Sequence, residues 1–153
     1  MLIRTQFETL IDYHFLTSDR LLTAAAVALP ETAAAVREKM EHVLRADAGY
    51  RLSMLTGKRP LRSITAEFSD IPSLQAGFQT ERAAWEDFLN VLTDAELTGD
   101  IVVATGNRDL EIARWRLIQQ VILHGMQHHA ECAQLLTAAG ESPGDIDFIF
   151  YRR

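Results

Sequence analysis

One cysteine, four prolines and eight glycines are all that this chain of 153 residues holds of the residues that staple, break or loosen a backbone. With Cys132 alone no disulfide can close within the chain, and nothing in it asks for an oxidising compartment. So little proline and glycine excludes collagen-like and low-complexity classes. Positive charge is also scarce: 15 Lys and Arg stand against 21 Asp and Glu, a net charge of −6. A phosphate backbone would gain little from such a surface, so no nucleic-acid partner is expected. No apolar run approaches the roughly 18 consecutive residues that suggest a bilayer span. The opening stretch MLIRTQFETLIDYHF mixes Glu8, Asp12 and His14 into its apolar residues, unlike the core of a secretion signal. These absences predict one cytoplasmic domain over residues 1–153, with no membrane partner.

What is present favours helix. Ala, Leu, Glu and Arg dominate a composition that is 48% hydrophobic and 24% charged. Phe7, Leu10, Ile11, His14, Leu21, Leu22 and Ala25 recur at three- and four-residue steps, predicting a first helix that ends near Pro30. Val36, Met40, Val43 and Leu44 mark a second, closing at Thr56-Gly57. Residues 58–71 keep no sustained period and read as a long crossover connection. A third helix starts near Pro72-Ser73 and is carried by Leu74, Phe78, Trp85, Phe88, Leu89 and Leu92. Ile101-Val102-Val103 and the turn signal Gly106-Asn107 predict a short hairpin or extended segment. A last helix fills residues 114–139, with Ile118, Val121, Ile122, Gly125, Cys132, Leu135, Leu136 and Ala139 on its apolar side and Gly140 at its end. The fold class is all-α, with four long amphipathic helices forming a bundle.

Three of the five histidines crowd into this last helix. His124 and His128, four apart, stand one turn apart on one face and can converge on one ion; His129 points roughly 100° away. The pair is a common helix-borne ligand set, although the catalytic glutamate of an HExxH helix is missing. Its plainer reading is two hydrogen-bonded core or boundary residues. The apolar pattern places His128 in the stripe and His124 on its flank, both facing the interior. A third ligand must come from another helix, and His14 and His42 are the candidates. Glu131, three residues after His128, can orient a ligand or act as a base, or be a surface carboxylate. Cys132 reads as a buried small hydrophobe, and Trp85 and Trp115 as packing or a subunit contact.

The order of motifs carries more than any one of them. Tyr13-His14-Phe15-Leu16-Thr17-Ser18-Asp19-Arg20-Leu21-Leu22 lies on helix one, and His42, Tyr50, Leu55 and Gly57 follow on helix two. Near the end come His124-Gly125-Met126-Gln127-His128-His129-Ala130-Glu131, then Leu135-Leu136, Gly140 and Pro143-Gly144-Asp145-Ile146-Asp147. Across nearly the whole chain this resembles the DinB-like family of metal-binding four-helix bundles, which is unrelated to the polymerase sharing that name. The family often has Tyr-Asn-x-Trp-x-x-x-Arg-Leu-Leu on its first helix; Tyr13 and Arg20-Leu21-Leu22 match, and His14 and Leu16 depart. Its last helix carries His-x-x-x-His-Arg, with His129 here in place of the arginine.

The resemblance implies a DinB/YfiT-like bundle with His42, rather than His14, joining His124 and His128 as metal ligands. Three neutral imidazoles leave a divalent ion at least one open position, the arrangement of catalytic sites; zinc or nickel is the expected ion. The resemblance further implies a metal-dependent S-transferase using a low-molecular-weight thiol such as mycothiol or bacillithiol on a small-molecule substrate, in a homodimer. A metal-dependent hydrolase is one alternative, and a non-enzymatic metal-binding stress-response or interaction protein is another. Tyr13 and Tyr50 are candidates to line a pocket above the ion, with His14 and His129 around its ligands.

Overall fold

The computed structural model of the chain describes residues 2–152. These residues form four long helices and one short one, interrupted by a single hairpin: α1 (Leu2–Ala25), α2 (Pro30–Thr56), α3 (Ile71–Asn90), α4 (Asp94–Thr98), β1 (Asp100–Ala104), β2 (Asp109–Ala113) and α5 (Arg114–Ala138). A single 3-10 turn, Phe148–Phe150, lies in the C-terminal tail. Among the described residues no helix is long and apolar enough to cross a membrane.

The helix limits follow local chemistry. Pro30 opens α2 at a position where its missing N–H costs nothing, and Glu31 in the first turn complements the positive end of the helix dipole. Gly57 stops the helix in the left-handed conformation (φ 69°), its N–H donating to the Ser53 carbonyl at 2.9 Å. Asp70 caps α3 in a reciprocal pair with Ser73. The sequence pattern carries the third helix to Leu92 and then straight into the extended segment. The structure instead ends α3 at Asn90 and inserts α4, capped by Thr93 and Glu96, with Leu97 buried beneath it. The Thr-x-x-Glu signature was visible, but one turn of helix is too short to show a period.

α1 packs on α3 and α5, and α2 packs on the same two, so the four long helices enclose one core, with α1 and α2 also touching across it. Val36, Met40, Val43 and Leu44 from α2, Leu21 and Leu22 from α1, Leu74 and Trp85 from α3, and Ile118, Val121 and Leu136 from α5 are inaccessible to solvent. α2 and α5 are neighbours, which sets their histidines face to face.

The hairpin is antiparallel, pairing Ile101 with Ile112 and Val103 with Leu110, with Gly106 in its turn at φ 89°. It also fastens the start of the crossover: Arg59 N–H donates to the Ala104 carbonyl at 2.9 Å, and Ala104 N–H to the Gly57 carbonyl at 2.8 Å. Beyond that bridge the crossover has no regular structure, and side chains satisfy its carbonyls. Arg45 donates to Ile64 and Ala66, and Arg37 to Phe68, whose ring is buried.

One ion pair is nearly enclosed between α2 and α3. Arg51 meets Glu81 through two parallel hydrogen bonds of 2.7 and 2.8 Å, with side chains only 13% and 7% exposed. Burial pushes the Glu81 carboxyl up, against the pull of the guanidinium. Glu81→Leu alone leaves the Arg51 charge buried without a partner, and urea unfolding should show a loss of about 3–5 kcal/mol. Arg51→Met combined with Glu81→Leu should recover most of it; a double variant no more stable than the single one would count against this account.

Candidate metal centre

His42 comes from the middle of α2, and His124 and His128 from successive turns of α5. Because these helices are adjacent, the three rings meet edge-on, with centroid separations of 5.0, 5.1 and 4.7 Å. One nitrogen from each lies within 4.8 Å of the other two, a group that can hold a metal ion. The Nε2 atoms of His42 and His124 are 3.1 Å apart. Two imidazole nitrogens bound to one ion at about 2.0–2.1 Å with tetrahedral angles stand about 3.3 Å apart, so the spacing and the donor set both suit a divalent cation.

The surroundings of His124 favour its neutral form. Burial lowers the pKa of His124, and the neighbouring His128 and His42 lower it further, which keeps its lone pair free of a proton. His128 places Nδ1 2.9 Å from the Glu131 carboxylate. With the Nδ1 proton held there, Nε2 carries the lone pair. Glu131 also accepts from Lys39 at 3.1 Å, and these two contacts hold its pKa below the usual carboxylate range. Its geometry is that of a residue orienting His128.

The apolar stripe of α5 differs from the one expected. His129, not His128, lies at its centre: Ile118, Val121, Ile122, Gly125, His129, Cys132 and Leu136 are buried, while His124 and His128 flank them. His128 and His129, roughly 100° apart, fall on opposite sides of the stripe's axis, and His128 falls on the side it shares with His124. Burial therefore drives the His129 pKa well below the ordinary value. The Ser18 hydroxyl donates its only hydrogen to the His14 carbonyl, so it accepts from His129 Nε2 at 2.9 Å.

His14 joins this interior polar group rather than the three-histidine cluster. Its ring stacks on His129 at 5.0 Å and its Nε2 lies 2.7 Å from the Asp47 carboxylate. On its other side is Gly125, where an added Cβ would fall 2.2 Å from the His14 Cε1 atom. Asp47 is completely buried, and desolvation raises its pKa against the opposing influence of His14, then His124 and His42. Asp47 Oδ1 and His124 Nδ1 are both buried and have no hydrogen-bond partner among the described residues. Sequence reasoning missed Asp47, although the run 36, 40, 43, 44, 47 places a carboxylate on the core stripe of α2.

A cavity of about 530 Å³ opens beside the cluster, lined by His42 and His124 together with Tyr50, Ser53, Leu61, Val103, Leu110 and Leu117 among others. Tyr50 is thus where a pocket residue was expected. Tyr13 is not: its hydroxyl donates to the Ile146 carbonyl and its ring packs on Phe148 and Tyr151, so it fastens the C-terminal tail. The tail's aromatic residues captured it, and one tyrosine on an amphipathic helix carries no sign of that. Trp85 is a core residue, whereas Trp115 is partly exposed on a separate cleft with Leu123. Comparison with family models, curated proteins and solved structures returns no match to this chain.

Two outcomes test these assignments. Gly125→Ala introduces the better helix former, by about 1 kcal/mol, yet it should destabilise by roughly 1–3 kcal/mol because the His14 ring occupies the space. In a His14→Ala background the same change should be neutral or stabilising, and thermal unfolding of the four proteins reads the sign reversal. Cys132 is buried and its thiol is pushed up to about 12, leaving about a thousandfold less thiolate than an ordinary cysteine. A chromogenic disulfide reagent should therefore leave it untouched in the native protein and label it fully in concentrated guanidinium.

Proposed function

We propose that this protein is a DinB-like metalloenzyme: a four-helix bundle in which His42, His124 and His128 hold one divalent ion, zinc or nickel, and which transfers a small thiol to an electrophilic substrate. The observation that carries this reading is the convergence of three imidazole nitrogens, from two helices, on one point beside a cavity. The order of the sequence motifs along the chain supports the family assignment.

A divalent ion held by His42, His124 and His128 would supply Lewis acidity, lowering the pKa of a thiol or water brought to it. The chain's own residues supply the rest. Glu131 fixes the tautomer and aim of His128, and Lys39 steadies Glu131. Tyr50, Ser53 and the apolar wall of Leu61, Val103, Leu110 and Leu117 offer a small molecule both polar and apolar contacts. Cys132 takes no part, since its thiol is buried and protonated.

Metal content of tag-free protein, measured by mass spectrometry, tests the proposal. Near-stoichiometric zinc or nickel is expected in the unsubstituted protein, with loss in each of His42→Ala, His124→Ala and His128→Ala. Protein that stays metal-free after incubation with both ions would remove the metal centre, and metal without turnover of any thiol would leave a binding protein in place of the enzyme.

A further inference from the structure

The lining of the cavity is unusual for this chain. Asp and Glu outnumber Lys and Arg by 21 to 15 overall, yet the fifteen residues around the cavity include Arg45, Arg59, His42 and His124 and not one carboxylate. A concave, partly apolar wall whose one uncompensated charge is a guanidinium favours anions.

The two arginines are not equivalent. Arg45 is committed: its guanidinium donates to the Glu41 carboxylate through two nitrogens and to the carbonyls of Ile64 and Ala66, and it packs over the Phe68 ring. It builds the wall. Arg59 is exposed, and among the described residues its guanidinium has neither a hydrogen-bond acceptor nor an ion-pair partner. Its backbone is nonetheless well anchored, by its N–H on Ala104, by the Ala104–Gly57 hydrogen bond just before it, and by Pro60 just after it. A free planar fork on a fixed backbone is suited to bidentate capture of a carboxylate.

We infer that this cavity takes a small amphipathic carboxylate, its apolar body against Leu61, Val103, Leu110 and Leu117 and its charged end on Arg59. The size fits, since cavities of about 300–1,000 Å³ enclose ligands of this kind. The inference rests on the proposed metal centre only in that a bound cation would add positive charge to the same wall; the guanidinium and the absent carboxylates stand without it.

Calorimetric titration of the full-length protein, as isolated and after incubation with zinc, tests this with three probes of one shape: 4-phenylbutyrate, 4-phenylbutan-1-ol and 4-phenylbutylamine. The carboxylate should bind about 5–10-fold tighter than the alcohol, the amine should bind weakest, and the preference should shrink with added salt. Arg59→Gln should bring carboxylate and alcohol to parity without lowering the melting temperature, and Arg59→Lys should keep part of the preference. Equal binding of carboxylate and alcohol, or a preference that survives Arg59→Gln, overturns the inference. Zinc uptake is read separately on the same samples. A carboxylate preference in protein that takes up no zinc leaves this inference standing whatever becomes of the metal centre, and zinc uptake without the preference removes this inference and leaves the metal centre in place.

Discussion

The ring of His14 sits where three helices meet, held by the Asp47 carboxylate of α2 on one side and lying against the bare Cα of Gly125 on α5. A side chain in place of that glycine hydrogen would push α1 and α5 apart, and an unpaired Asp47 would be a buried charge without compensation. This contact fixes how α5 lies against α1 and α2, and with it the rotation that presents His124 and His128 to His42. The stack of His129 on His14 and its hydrogen bond to Ser18 continue the same seam along α5. A polar seam inside an otherwise apolar core is costly to bury, and it restricts the helices to the one packing that satisfies it.

On the outer side of the three histidines the structure does the opposite, leaving space. Gly57 turns the chain out of α2, the Arg59–Ala104 pairing fastens it to the hairpin, and Arg45 gathers the carbonyls of the crossover. The result is a cavity with a mixed lining, walled by α2, the hairpin and α5 and rimmed by the irregular stretch 59–63. Polar atoms of the histidine cluster and its neighbours divide between the two sides. His42 and His124 line the cavity, whereas His124 Nδ1 and Asp47 Oδ1 are buried with no partner among the described residues.

Much of this was readable from the residues. Hydrophobic period set the four long helices, because an amphipathic stripe has only one way to be buried. Pro30, Gly57 and Gly140 marked their ends, and Ile101-Val102-Val103 with Gly106 marked the hairpin. Where the reading failed, a single residue outweighed a pattern. α4 is one turn long, and its cap was its only signal. Tyr13 belongs to the tail because Phe148 and Tyr151 happen to reach it, a contact made across more than a hundred residues of chain.

The sequence by itself determined that two histidines, four residues apart, share one face of the last helix, since the helical repeat leaves them no other arrangement. It also determined that the core would be helical and that Cys132 could not form an internal disulfide. The order of motifs pointed to His42 as the third histidine beside that pair, but only the tertiary structure decided which of the adjacent His128 and His129 is buried and which of two arginines at the cavity is free. Each of those depends on the rotation and spacing of neighbouring helices and on acceptors supplied from distant segments. Neighbouring residues on one helix differ by about 100° in direction, so the rotation set here by His14 against Gly125 decides which histidine joins the cluster and which joins the core.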